Sequence, residues 1–139
     1  MEVGAETVVV ELRIPAKPEY VGVARLAILG VASRMPFSYD EVEDIRLAVG
    51  EACTTAVEWA AKNNRQDSEV LIKSAISESA LTVEIIDQAG ERQEPEESAG
   101  REPDPESLGA LLITLLVDEV NVSRLDGGTC VTMVKYAGK

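Results

Sequence analysis

The sequence predicts one α/β two-layer sandwich, in which a mixed and mostly antiparallel sheet is covered on one face by helices. Three observations lead to this fold class. Most strand-like segments occur in two hairpins, three helix-like segments each carry one apolar stripe, and the order along the chain is β-α-α-β-β-loop-α-β-β. At 139 residues and 45% apolar composition, the chain is long enough for one core, so a single domain over 1–139 is expected.

The amino-terminal part predicts a strand followed by a helix. Thr7–Ile14 is rich in β-branched residues and stops at Pro15, which favours a strand at the edge of a sheet. Pro18 suits the first turn of a helix that extends to about Arg34. Arg25 falls on the apolar arc of this helix, where an arginine either covers apolar surface with its stem or contacts a partner.

The second predicted helix has the strongest start signal. Ser38 can cap it, with Glu41 completing a capping box. Its apolar stripe consists of Ile45, Ala48, Val49, Ala52, Cys53, Ala56 and Ala60. Glu51 and Thr55 lie one turn apart on the flank of this stripe. Glu51 is therefore expected at the rim of the core, where a carboxylate can carry out directed chemistry, although a solvated helix glutamate is the alternative.

The second half of the chain predicts two hairpins, a third helix and a long loop. The hairpins cover 69–76 with 80–87, and 119–125 with 129–136. The helix runs from Leu108 to about Asp118. The segment 90–106 has three prolines, two glycines and no apolar periodicity, and is expected to be either a lid-like binding loop or a plain surface loop. Eight acids and two bases between Asp87 and Glu106 give −6 of the net charge of −12.

The composition excludes several kinds of chemistry. The chain has no histidine, so proton transfer must use a carboxylate, lysine, tyrosine or cysteine. The net charge of −12 argues against direct binding of nucleic acid or of an anionic membrane. Cys53 and Cys130 lack metal-like spacing and are expected to be buried thiols in a reducing compartment. With no secretory signal or membrane span in the sequence, a cytoplasmic location is expected.

The segment around Glu51 also resembles a known family. Residues 44–50 followed by 51–57 are similar to the first nucleotide-binding motif of the GHKL ATPases, which include gyrase, Hsp90, histidine kinases and MutL. More narrowly, the chain resembles the anti-sigma-factor serine kinases of the RsbW type. The likeness covers nearly the whole chain outside 90–106, including 15–22, 30–35, 39–44, 117–120 and 131–136. It implies the GHKL (Bergerat) fold.

The resemblance implies a role for each site residue. Glu51 would be the general base that activates a serine hydroxyl of an anti-anti-sigma (STAS-type) substrate for attack on the γ-phosphate of ATP. Asp87 would accept a hydrogen bond from the adenine amino group, and Thr129 would lie near the base of the pocket. Thr55 would contact Mg²⁺. The remaining nucleotide-binding positions are Ala89, Gly90, Ser107, Leu108 and Gly109.

Three positions depart from the family's pattern and keep two hypotheses open. Thr55 replaces an asparagine, Ala89 replaces a glycine with Gly90 one place late, and Ser107 replaces the first glycine of the phosphate loop. One hypothesis is an ATP- and Mg²⁺-dependent serine kinase that also sequesters a sigma factor. The other is a non-catalytic anti-sigma binding module with a degraded ATP site. Both imply a homodimer that uses Arg25 to contact partners.

Overall fold

Five antiparallel strands and three α-helices form two layers in the part of the chain that the computed structural model describes, residues 7–92 and 105–138 without the side chains of 105–108. The strands are β1 (Val8–Pro15), β2 (Glu69–Ile76), β3 (Ala80–Asp87), β4 (Glu119–Leu125) and β5 (Gly128–Tyr136). The helices are α1 (Val21–Ala32), α2 (Tyr39–Lys62) and α3 (Pro105–Leu116), and a 3-10 turn, Pro18–Tyr20, precedes α1.

The sheet has the strand order β1-β2-β3-β5-β4. Every strand pairing among the described residues is antiparallel, so the sandwich is confirmed with a purely antiparallel sheet. β1 lies at one edge, as its terminal proline predicts. Buried and partly exposed residues alternate along β3, and its buried set ends at Asp87. The order of the elements brings the ends of β3 and α2 together with the start of β5.

The boundaries of the first and third helices differ from the predictions at both ends. The helix expected from Pro18 begins as a 3-10 turn and ends at Ala32, where the Ser33 hydroxyl donates to the carbonyl of Leu29 at 2.6 Å. The capping box of α2 is confirmed, with Glu41 N donating to Ser38 Oγ at 3.1 Å. The third helix begins at Pro105 and ends at Leu116, so the predicted loop over 90–106 is two residues too long. Residues 93–104 of that loop lie outside the described residues.

The core lies between the helices and the sheet, and α2 supplies its largest helical share. The small buried alanines at 48, 52, 56 and 60 let α2 pack closely against the neighbouring elements. Cys53 is fully buried, and burial raises the pKa of its thiol to about 12. Cys130 is only partly buried, contrary to the prediction, because it pairs with Ile86 on the face of the sheet away from the helices. Within the described residues, none of the helices combines the length and apolar character that spanning a membrane requires.

Candidate functional site

Two buried polar side chains face each other at the end of the sheet. Asp87, the last residue of β3, pairs in register with Thr129 near the start of β5. The two residues are 2% and 1% exposed. The Thr129 hydroxyl has no hydrogen-bond partner among the described residues. A buried hydroxyl without a partner is unfavourable, so this pair marks a position where a ligand or a water molecule would add a hydrogen bond.

Two glycines allow the chain to pass close to Asp87. Gly127 has φ +84° in the turn that joins β4 to β5, a conformation that suits glycine. A Cβ at Gly128 would lie 2.9 Å from the carbonyl carbon of Asp87, too close for any other residue. Gly90 N also donates to the carbonyl of Gly127 at 2.9 Å. Gly127 and Gly128 were predicted only as a turn, and the structure adds their close approach to the backbone around Asp87.

Both carboxylate oxygens of Asp87 have partners. The amide of Ala89 donates to Oδ1 at 3.0 Å, and Arg92 Nη2 donates to Oδ2 at 2.8 Å. The Arg92 side chain is 9% exposed, so this ion pair is largely removed from solvent. Sequence reasoning missed Arg92, since a lone arginine five residues beyond a strand carries no periodic signal. Ala89 itself is buried, with its amide turned toward the carboxylate.

Side chains from other elements hold the segment 88–92 in place. Asn63, at the end of α2, donates from Nδ2 to the carbonyls of Ala89 at 2.7 Å and Glu91 at 2.9 Å. Gly90 has φ +89°, and a Cβ there would lie 3.2 Å from the same Asn63 nitrogen. Two more bonds reach carbonyls of this segment, from Arg65 Nη1 to Gln88 at 3.3 Å and from Arg124 Nη1 to Arg92 at 3.2 Å. Gly90, one place later than the glycine of the family pattern, therefore allows this segment to turn beside Asn63.

The carboxylate of Glu51 lies at the rim of the core, against α3. Glu51 is partly buried on α2, as its place on the flank of the apolar stripe predicts. A Cβ built at Gly109 would lie 3.0 Å from Glu51 Cδ and 3.2 Å from Cγ. Gly109 thus provides the space that the glutamate occupies. The side chains of Ser107 and Leu108 lie outside the described residues, and their backbone is part of α3.

Thr55 lies one turn after Glu51 and is buried. Within the described part of the chain, no group of three or more carboxylate or cysteine side chains could hold a metal ion. Two side chains with oxygen atoms, Glu51 and Thr55, thus lie on this flank of α2, and Mg²⁺ is commonly bound by one or two protein ligands together with water and phosphate.

Arg25 is partly buried between α1 and α2. A Cβ at Gly50 would lie 2.9 Å from Arg25 Cζ, so the guanidinium lies across this glycine. Its charge lowers the pKa of the Cys53 thiol slightly against the larger effect of burial. The end of the Arg25 side chain therefore lies against α2, and a contact of Arg25 with a partner stays a prediction.

The fold and the site geometry define an α+β domain of the ATPase class found in histidine kinases: a buried acid ends a central strand, glycines lie beside it, and a carboxylate lies on the covering helix. A family profile described as "Histidine kinase-like ATPase domain" matches residues 14–135. Serine-protein kinase RsbW of Bacillus licheniformis is 38% identical over 141 residues, covering 94% of this chain and 86% of the relative. RsbW of Bacillus subtilis is 39% identical over 137 residues, covering 91% and 84%.

The chain belongs to the histidine kinase-like ATPase domain family and, within it, to the RsbW group of serine-protein kinases. Two solved structures have the same fold. The RsbU and RsbW domains of a Mycobacterium tuberculosis protein superpose with a TM-score of 0.67 at 16% identity, covering 94% of this chain and 33% of that one. The histidine kinase domain of a blue-light activated kinase from Erythrobacter litoralis gives a TM-score of 0.55 at 25% identity, covering 88% and 61%.

Proposed function

We propose that this chain is an RsbW-type anti-sigma factor that binds Mg-ATP and phosphorylates a serine of an anti-anti-sigma protein. The observation that carries the proposal is the buried Asp87–Thr129 pair, with an unpartnered hydroxyl beside a carboxylate. These are the groups that a base with an exocyclic amine requires, an acceptor for its amino group and a hydroxyl that can donate to a ring nitrogen. Family membership supports the same activity.

Glu51 is the proton acceptor in this proposal. ATP supplies the γ-phosphoryl group when bound. Glu51 takes the proton of the substrate serine hydroxyl as the new oxygen–phosphorus bond forms and the bond to ADP breaks. Gly109 leaves free the space that the carboxylate occupies. The amino-terminal end of α3 favours the negative charge of the phosphates. Thr55 provides one protein oxygen toward Mg²⁺, with Glu51 as the nearest carboxylate on the same flank.

The anti-sigma role adds partner surfaces, and Arg25 is proposed to contact the sigma factor or the anti-anti-sigma protein. We also propose a homodimer formed through the β1 edge. Val8, Val9 and Val10 are exposed there, and exposed apolar edge strands are prone to pair. The partner contact proposed for Arg25 has its own support, because Arg25 is the only charged residue of α1 and the exposed face of that helix carries Val23 and Leu26.

The hydrogen-bonding pattern of β1 fits a two-fold pairing. Ala16 N donates to the carbonyl of Ser68 on the β2 side, so the odd-numbered residues of β1 direct their amides and carbonyls toward the free edge. Antiparallel pairing centred on Leu12 would place Glu11 opposite Arg13 of the partner subunit. The edge is therefore complementary to itself in charge.

A second candidate function, a non-catalytic anti-sigma module, is favoured by one observation. Both oxygens of Asp87 already have donors, Ala89 N and Arg92 Nη2. A carboxylate engaged in this way needs no nucleotide to satisfy it. This candidate predicts sigma-factor binding that is independent of ATP.

One experiment separates the two candidates. Mg-ATP at about 100-fold excess over its Kd should stabilise a nucleotide-binding protein by about 2.7 kcal/mol, read as a rise in Tm. Transfer of radiolabelled phosphate to an anti-anti-sigma protein should then occur, and Glu51→Gln should abolish transfer while retaining the Tm rise. The absence of a Tm shift at millimolar Mg-ATP rejects the kinase and leaves the binding module.

A further inference from the structure

Arg92 occupies the space beside Asp87, and we propose that it competes with the nucleotide base for this carboxylate and so sets the affinity of the pocket. The inference rests on the proposed function in one respect, the assignment of Asp87 as the residue that reads the base. Arg92 would then be an affinity-determining residue of this chain, acting before any phosphoryl transfer.

The ion pair of Arg92 and Asp87 is almost completely buried. Arg92 Nη2 lies 2.8 Å from Asp87 Oδ2, and hardly any of the Asp87 or Thr129 surface reaches solvent. Ala89 N holds the other oxygen of the carboxylate. A base therefore does not reach Oδ2 of Asp87 until the Arg92 side chain moves away.

Three side chains hold the backbone of the segment that carries Arg92. Asn63, Arg65 and Arg124 donate hydrogen bonds to carbonyls of the segment 88–92, from the end of α2, the turn after it and β4. Arg124 bonds to the carbonyl of Arg92 itself. Because the backbone is held from three sides, the guanidinium is kept next to Asp87, and we expect a base to displace it through rotation of the Arg92 side chain.

The Arg92 guanidinium and the amino group of a base differ in how strongly they bind the Asp87 carboxylate. Both donors bond to the same carboxylate, but the guanidinium also carries a positive charge, whereas the amino group of a base is a neutral donor and makes a weaker bond. The apparent Kd for nucleotide equals the intrinsic Kd divided by the fraction of molecules with Arg92 displaced. If that fraction is about one tenth, the pocket binds about tenfold more weakly than it would without Arg92.

Isothermal titration calorimetry with Mg-ATP tests the competition on wild type and Arg92→Ala. The variant should bind about tenfold more tightly. Arg34→Ala is the matched control, because it removes the same charge from an exposed side chain after α1 and should leave the affinity within about twofold. Unchanged or weaker affinity in Arg92→Ala overturns the inference, and so does the absence of binding in both wild type and variant.

Asp87→Asn separates this inference from the proposed function. If Asp87→Asn binds Mg-ATP as wild type does, Asp87 does not read the base and the pocket assignment fails. If Asp87→Asn loses affinity while Arg92→Ala matches wild type, only the competition is rejected.

Arg92→Ala leaves a buried carboxylate without its cation and can fail to fold. The wild-type protein then provides the test by NMR, with the Arg92 Nε–H resonance assigned by its loss in Arg92→Lys. Saturation with Mg-ATP should speed hydrogen exchange at this group by at least about tenfold as the side chain leaves its buried position. Unchanged slow exchange in the saturated protein overturns the inference.

Discussion

The carboxylate of Glu51 on α2 lies directly against the Cα of Gly109 on α3, with no room between them for a methyl group. The contact makes position 109 a direct test of whether Glu51 is the base. Gly109→Ala should displace the carboxylate and lower kcat for phosphoryl transfer about 100-fold, since misplacement by about 1 Å has an effect of this size. The Kd for Mg-ATP should change much less.

The measurement for position 109 is steady-state phosphorylation of an anti-anti-sigma protein, with calorimetry for the Kd. Gly22→Ala, in the first turn of α1 where an added Cβ meets nothing within 4 Å, is the control and should keep wild-type kcat. A Gly109→Ala enzyme with wild-type kcat would show that the position of Glu51 is not critical.

Gly50 is predicted to be required by the Arg25 side chain. A methyl group at position 50 meets the flexible end of the Arg25 side chain, which must turn aside, so Gly50→Ala should lower the free energy of unfolding by about 1 kcal/mol, the lower end of the range for overpacking. Gly30→Ala, in the interior of α1 with open space around it, should instead raise it by about 0.5–1 kcal/mol. Both are measured by chemical denaturation. The double variant Arg25→Ala/Gly50→Ala should recover most of the loss, and failure to recover would mean that Arg25 is not the group displaced.

Stability should fall at alkaline pH because of Cys53. Burial raises the pKa of its thiol from 9.0 to about 12, so the unfolded chain loses this proton at lower pH than the folded chain. The contribution of the thiol is therefore fully present below about pH 9 and is lost as the pH rises toward 12. Urea unfolding between pH 8 and pH 10.5 should show a decline that Cys53→Ala reduces and Cys130→Ala does not. An equal decline in both variants would assign it to other groups.

The β1 edge should be the dimer interface. Val9→Lys places a charge on this edge and should shift the protein toward monomer in sedimentation equilibrium, because lysine on an edge strand opposes pairing. Val122→Lys is the control on the opposite edge, and the two valines are similarly exposed, at 51% and 55%. If Val122→Lys dissociates the dimer and Val9→Lys does not, the interface lies on the β4 side.

Local chemistry explains which parts of the fold could be predicted from the sequence. The strands at 69–76 and 80–87 are as predicted because alternation and turn residues both mark them. The start of α2 follows from its capping box. The start of α3 at Pro105 was missed because the first turn of this helix is polar and its apolar stripe begins only at Leu108.

The site could be predicted only where a single residue carries the signal. The rim position of Glu51 follows from helical periodicity, whereas Asp87 was identified through the family resemblance and its burial is a finding of the structure. The bonds from Asn63, Arg65 and Arg124 to the segment 88–92 join elements far apart in the sequence, and no local pattern encodes them. The same holds for the Arg92–Asp87 pair, which depends on the path of an irregular segment.

The bonds of Asn63 give α2 a role at both ends of the site. Glu51 lies within α2 and Asn63 caps the carboxyl end of this helix, about 18 Å further along its axis at about 1.5 Å per residue, so the positions of the two residues are linked through the helix. The Arg25 guanidinium lies across Gly50, one residue before Glu51, so a protein that moved Arg25 would change a contact with α2. Both halves of the proposed site, the segment held by Asn63 and the fit of Glu51 against Gly109, therefore depend on the position of this one helix.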